Sequence, residues 1–243
     1  MLIDLSKRST QSELMDDFKE PITSLRKVFQ DINRVNRFLG GNNITIKAIQ
    51  QIINEHQQNQ YVIVDMGCGD GEMLREIATY FRSKKLKGEF IGIDLNENGL
   101  KIAKEASEGF PEISFLHKDI LAIETTNLKC DILINTLTMH HFLDDEIIVF
   151  LNKFIQLAQI GVVINDLQRS RWAYYLFHLF SLIFIKTRIA KIDGLISIRR
   201  SFLKEELVFY SKKIPNASHK IEWKWAFRYL WVMKPSQLKE IYE

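Results

Sequence analysis

Val62-Ile63-Val64-Asp65-Met66-Gly67-Cys68-Gly69-Asp70-Gly71 is the stretch whose reading decides the fold. Tyr61 to Val64 is an unbroken aromatic and β-branched run, the pattern of a strand covered on both faces in a parallel sheet. Glycines at 67, 69 and 71 permit a tight turn with positive φ and let a ligand lie against bare backbone. Beyond them Met73, Leu74, Ile77, Ala78 and Phe81 fall at helical spacing, which predicts a helix over Glu72–Arg82. Strand, glycine turn and helix N-terminus together make a cradle into which backbone N–H groups point.

The spacing of the glycines selects the ligand. A dinucleotide site wants Gly-x-Gly-x-x-Gly, with a close approach for the pyrophosphate. Here the glycines alternate as Gly-x-Gly-x-Gly, and Asp65 and Asp70 flank them. Carboxylates at that place repel a pyrophosphate but suit a ligand carrying an ammonium and a sulfonium. This acidic residue followed by Gly-x-Gly-x-Gly resembles the first motif of the class I S-adenosylmethionine-dependent methyltransferases.

Further strands follow in order. Glu89 to Asp94 is apolar and ends in an acid, placed to accept hydrogen bonds from a ribose diol. Leu95 to Ala106 reads as a helix with Asn96 as N-cap and Leu100, Ile102 and Ala103 facing inward. A third strand, Ile113 to His117, precedes Lys118-Asp119-Ile120. A fourth, Asp131 to Asn135, opens into Thr136-Leu137-Thr138-Met139-His140-His141-Phe142. A fifth, Gly161 to Ile164, ends at Asn165-Asp166. Each polar signal sits at the C-terminal end of a strand, where open α/β sheets bind their ligands.

The resemblance covers roughly residues 60 to 166. It implies a Rossmann-like, seven-stranded α/β methyltransferase sheet, mostly parallel and closed by a C-terminal antiparallel hairpin. It implies S-adenosyl-L-methionine as cofactor, held by Asp65, Gly67, Cys68, Gly69, Gly71, Asp94, Leu95, Asp119, Ile120, Asn135 and Thr136. In the family's pattern the acid at Asp119 accepts from the adenine amino group. His140 or His141 is the candidate general base, and Asp166 could orient a histidine or hold the acceptor. Similar motif sets, with a Thr-Met-His-His-Phe loop, occur in small-molecule methyltransferases of bacterial quinone and polyketide pathways. That points to an aromatic or otherwise apolar acceptor methylated at a hydroxyl oxygen, with nitrogen and carbon as alternatives. A non-catalytic adenosyl-binding subunit and a nicotinamide oxidoreductase are the rivals, the latter disfavoured by the glycine spacing.

The flanks fit one domain over residues 1–243, with a helical lid over 9–59, the core over 60–166, an apolar cap over 167–212 and the hairpin over 213–243. Leu14, Phe18, Ile22, Leu25, Val28, Phe29, Ile32, Val35 and Leu39 keep helical spacing around Pro21, and Gly40-Gly41 ends that helix. A second helix is expected over Ile44–Glu55. Arg34, Asn36 and Arg37 could reach the carboxylate of the methionine moiety. Between Arg171 and Lys191, an apolar run from Trp172 to Ile185 is too short to span a bilayer. It is expected as a buried cap helix, a homodimer surface, or a segment touching a membrane surface transiently. Asp193-Gly194 should break the chain before a helix over Ser201–Lys212. His219 to Trp225 and Phe227 to Met233 alternate as a strand pair should.

Composition is that of an ordinary globular chain: 243 residues, 46% apolar, 26% charged, net charge +3. So small a charge, with scattered lysines and arginines, gives no reason to expect nucleic acid. Cys68 and Cys130 are placed for neither a disulfide nor zinc, the six histidines lack metal-ligand spacing, and a cytoplasmic location fits.

Overall fold

The computed structural model describes residues 3–16, 20–123 and 128–236. Phe18, one member of the apolar series above, lies outside the described residues. The glycine-loop strand, β1 (Tyr61–Met66), is at the centre of a seven-stranded sheet. The other strands are β2 (Gly88–Asp94), β3 (Ile113–His117), β4 (Cys130–Thr136), β5 (Ala158–Leu167), β6 (Ala217–Lys224) and β7 (Arg228–Pro235), in the order β3-β2-β1-β4-β5-β7-β6. β1 pairs in parallel with β2 and β4, and β5 with β4, whereas β7 runs antiparallel to both β5 and β6. The chain thus winds outward from β1 to β3, returns, and winds the other way from β4. The crevice between β1 and β4 is where such a sheet binds a ligand.

Alternation along β1 serves both faces. Tyr61 and Ile63 pack with Ile49, Ile52, Leu74, Ile77 and Phe81 of α2 (Gly41–Glu55) and α3 (Glu72–Lys84). Val64 and Met66 pack on the opposite face with Phe150, Leu151 and Phe154 of α5 (Asp144–Leu157). α4 (Glu97–Ala106) begins at Asn96, whose side chain accepts from Gly99 N at 3.0 Å. The sheet, its hairpin and these helices follow the expected pattern, with ends moved by one to three residues.

Four expectations are corrected. Residues 9–13 are not helical. That stretch has no regular structure and is tied to α7 (Arg188–Arg200), with Ser9 N donating to Arg199 O at 2.9 Å and Arg200 Nη1 to Gln11 O at 2.8 Å; among the described residues only the single turn Leu14–Asp16 precedes α1 (Ile22–Phe38). Asp193-Gly194 does not break the chain; it lies inside α7. The Asp193 carboxylate accepts from Leu14 N at 2.7 Å and Met15 N at 2.9 Å. A Cβ at Gly194 would stand 2.1 Å from the Phe177 ring, so the glycine lets α6 (Arg171–Phe184) lie against α7. Finally, α6 is not buried: Trp172 is 73% exposed and Ile183 77%. α8 (Lys204–Lys212) is shorter than expected because Ser201 and Phe202 bond to α7 and β5 instead.

Candidate active site

The C-terminal ends of β1, β2 and β4 open into a cavity of about 700 Å³, roofed by α1, α6 and α7. On its cofactor side the glycine turn has the left-handed backbone its residues predict, with φ of 82° at Gly67, 54° at Gly69 and 73° at Gly71. Space is short as well as conformation: a Cβ on Gly67 would fall 2.3 Å from Thr138 Cγ2, and one on Gly69 3.0 Å from the Phe29 ring. Asp94 braces the turn, accepting from Gly69 N and Asn96 N at 2.8 Å each. Asp65 is buried at the cavity wall, and its Oδ1 has no partner among the described residues. Burial, and then the charge of Asp94, push its pKa up to about 8. A buried carboxyl with an idle oxygen on bare glycine backbone fits a ligand that brings an ammonium group. The same residues offer nothing to a pyrophosphate.

Asp65, Gly67, Cys68, Gly69, Asp94, Leu95, Asp119, Ile120 and Thr136 all line this cavity. Asp119 also caps the following turn, its Oδ1 accepting from Leu121 N at 2.8 Å. Gly71 and Asn135 stand apart from the cavity. Gly71 starts α3, where a Cβ would meet the Phe115 ring at 2.8 Å. Asn135 Nδ2 donates to Met66 O at 2.6 Å and ties β4 to β1. Arg34 and Arg37 are already paired with Asp31 and Glu72, and Asn36 accepts from Arg228.

Across the cavity, the loop after β4 delivers both histidines to the wall. Leu137 begins that loop with φ of 54°, a strained backbone for a non-glycine residue, fixed by its N–H on Asn165 O at 2.9 Å. Arg200 and Arg8 clamp the loop by donating to the carbonyls of His140, His141 and Phe142. His140 is buried, and both ring nitrogens are engaged: Nδ1 with Asp166 Oδ1 at 2.7 Å, Nε2 with Glu13 Oε1 at 3.2 Å. Burial alone would lower the His140 pKa, but the carboxylates of Asp166 and Glu13 outweigh it and lift it to about 9. Burial would likewise raise Glu13, yet the two histidines and Ser197 hold it at about 2. Asp166 lies beneath His140, its oxygens already accepting from His140 N and Leu167 N as well as the ring. His141 is the more open of the pair: Nδ1 is 3.1 Å from Asp16 Oδ2, and Nε2 stands 3.7 Å from Glu13 Oε2, beyond hydrogen-bond range.

Glu13, Asp16 and Arg228 have no role in the reading of the sequence. Glu13 has no motif around it and acquires its place only when an extended segment threads between α7 and the histidine loop. With it, Glu13, His140 and His141 bring three potential metal ligands within 4.8 Å of one another, a grouping invisible in sequence spacing. Arg228 did leave a trace: it is the one charge in the run Phe227 to Val232.

A profile of the methyltransferase domain family matches residues 57–227. The chain belongs to that family, and with the glycine cradle it is an S-adenosylmethionine-dependent methyltransferase. Among solved structures, the plantazolicin methyltransferase BpumL in complex with SAH is similar in fold, with a TM-score of 0.67 at 16% identity over 91% of this chain and 94% of its own. The magnesium protoporphyrin IX methyltransferase ChlM from Synechocystis PCC 6803, with bound SAM, gives a TM-score of 0.60 at 12% identity over 95% and 99%. The CMeT domain of the citrinin polyketide synthase gives 0.55 at 9% identity, over 71% of this chain and 46% of that one. No curated protein sequence matches.

Proposed function

We propose that this methyltransferase acts on an apolar small molecule at a hydroxyl oxygen, with His141 taking the hydroxyl proton. The observation that carries the reading is that one cavity holds both the glycine cradle and His141, between apolar walls from α1, α6 and α7. The expected ligands of S-adenosylmethionine are Asp65 at its ammonium, the backbone of Gly67 to Gly69 along the methionine chain, Asp94 at the ribose, and Asp119 with Ile120 at the adenine. When bound it supplies a methyl group already activated by the positive sulfur. The chain's own residues then have to orient the acceptor, exclude water and remove one proton.

His141 suits that last task better than His140. A general base needs a free lone pair facing the acceptor. Both nitrogens of His140 are engaged by carboxylates, and its proton is held up to about pH 9. His141 lines the cavity with no hydrogen bond at Nε2, while Asp16 fixes the tautomer through Nδ1. In this reading His140, Asp166 and Glu13 form a buried, hydrogen-bonded brace. They position the loop and do not touch the acceptor.

The apolar character of the acceptor rests on α6. Its inner stripe of Ala173, Phe177 and Phe180 lines the cavity. A second stripe at Trp172, Leu179, Leu182 and Ile183 faces outward, and Leu176 is both half exposed and part of the wall. Among the described residues no helix is long and apolar enough to cross a membrane. An exposed apolar helix flanked by Arg171, Lys186 and Arg188 has instead the character of an interfacial segment on an anionic bilayer, from which an apolar acceptor is drawn. Incubating the purified protein and isotopically labelled S-adenosylmethionine with a lipid extract and with a polar extract tests this. Label should appear as an alkali-stable ether in the lipid fraction. Label confined to polar products, or absent from both, would refute the reading.

A further inference from the structure

Arg228, the first residue of β7, is 3% exposed and lies on the cavity wall. Its Nη2 donates to Asn36 Oδ1 at 2.7 Å, while Nε and Nη1 have no partner among the described residues. A buried guanidinium left in that state is costly, because its desolvated N–H groups bond to nothing. The nearest acid, Asp166, is already occupied by His140 and Leu167. Two other unpartnered buried groups lie nearby, the acceptor Asn165 Oδ1, whose Nδ2 donates to Gly41 O, and the donor Asn42 Nδ2. The guanidinium lies against the start of α2, where a Cβ on Gly41 would be 2.9 Å from Arg228 Cζ. That 15-residue helix has no side-chain cap on its first N–H groups. Asn42, in its first turn, is 7% exposed and lines the cavity with Nδ2 unpartnered.

We infer that Arg228, Asn42 and the N-terminus of α2 form an anion subsite for the acceptor, and that the acceptor carries a carboxylate. A guanidinium with free planar donors, next to the positive end of a helix, is built for that group. The position assigns it to the acceptor. The sheet order puts β7 three strands from the glycine turn of β1, roughly 14 Å at ordinary strand spacing. Asp166 pairs directly with Tyr229 across β5 and β7, so the subsite and the histidine loop share one end of the cavity. An acceptor of this class is amphipathic: its acid is seated on Arg228, its hydroxyl faces His141, and its apolar tail lies along α6. This inference rests on the reading of that end of the cavity as the acceptor pocket.

The test compares an alkylsalicylate with its primary amide by equilibrium binding, S-adenosylhomocysteine being present throughout. The wild-type protein should bind the carboxylate at least tenfold more tightly than the amide. Arg228→Gln should reduce that preference to less than twofold while leaving S-adenosylhomocysteine affinity within twofold. Asn42→Asp keeps the arginine and sets a competing carboxylate beside it, so it should lose the preference as well, and it decides the matter if Arg228→Gln does not fold. Equal binding of the two probes to the wild type, or a preference that survives both variants, overturns the subsite. So does a variant that loses S-adenosylhomocysteine instead, since Arg228 would then serve the cofactor. A preference for the carboxylate that vanishes in the variants upholds the subsite even if the oxygen-methylation reading fails.

Discussion

The two ends of the cavity are built in opposite ways. The cofactor end comes from one short stretch, Asp65 to Gly71, plus the tips of the next two strands, and backbone makes most of it. The end proposed for the acceptor collects Glu13, Asn42, His140, Asp166 and Arg228 from five separate parts of the chain, and side chains make it. Backbone cradles depend on small residues and left-handed φ angles, which local sequence specifies. Side-chain clusters depend on packing between distant segments. One end is therefore expected to fail locally and completely when a single glycine is lost. The other should lose function or stability in graded steps.

The largest expected effect is at Gly69. An arginine there must adopt φ of 54° and enter the space beside Phe29. S-adenosylhomocysteine should then produce no calorimetric signal and no rise in melting temperature, whereas in the wild type it raises it. Measurable binding to Gly69→Arg would break the backbone-cradle account. Next is His140→Leu, which removes the buried ionic partner that Glu13 and Asp166 share. Removing one partner of a buried ionic group costs about 3–5 kcal/mol. Denaturant unfolding should show a loss of that size, and a change below about 1 kcal/mol would mean that the brace contributes little.

Leu179→Asp on the outer stripe of α6 should lower binding to anionic vesicles at least tenfold, as about 1.5–3 kcal/mol of apolar burial is lost. Cofactor affinity should not change. Vesicle binding that is unaffected, or absent in the wild type, would remove the membrane from the account. A dimer-to-monomer change in sedimentation would reassign the stripe to a second copy. The smallest effect is protonic. With its pKa raised to about 8, Asp65 is mostly protonated at pH 7 in the free protein. A ligand ammonium favours the charged carboxylate, so binding should expel a fraction of a proton at pH 7. That fraction should fall towards zero above pH 9, where Asp65 is already ionised. Calorimetry of S-adenosylhomocysteine in buffers of different ionisation enthalpy measures it, and Asp65→Asn should abolish it. Equal proton release by that variant would place the titrating group elsewhere.

The same contrast explains what could be read without coordinates. Tyr61 to Gly71, Asp94 and the strand pair after residue 213 carry their meaning in adjacent residues, and the sheet follows from them. Asp193-Gly194 suggests a break in the sequence because an aspartate and a glycine usually mark a turn. Here Asp193 caps the turn at Leu14 and Met15, and Gly194 makes room for Phe177, both consequences of tertiary packing. The apolar run of α6 was visible, but its exposure was not, since periodicity gives a helix its faces without saying what covers them. Glu13 lies 127 residues from His140. No local pattern links them.

The most direct test of the account is one variant measured twice. His141→Gln should keep S-adenosylhomocysteine affinity within about twofold, because His141 hydrogen-bonds to Asp16 and to none of the residues expected to hold the cofactor. Its single-turnover rate with the identified acceptor should fall about 10²–10⁴-fold, the usual contribution of a general base. A rate near that of the wild type would contradict His141 as the proton acceptor. A parallel loss of cofactor affinity would contradict the division of the cavity into two separately built ends.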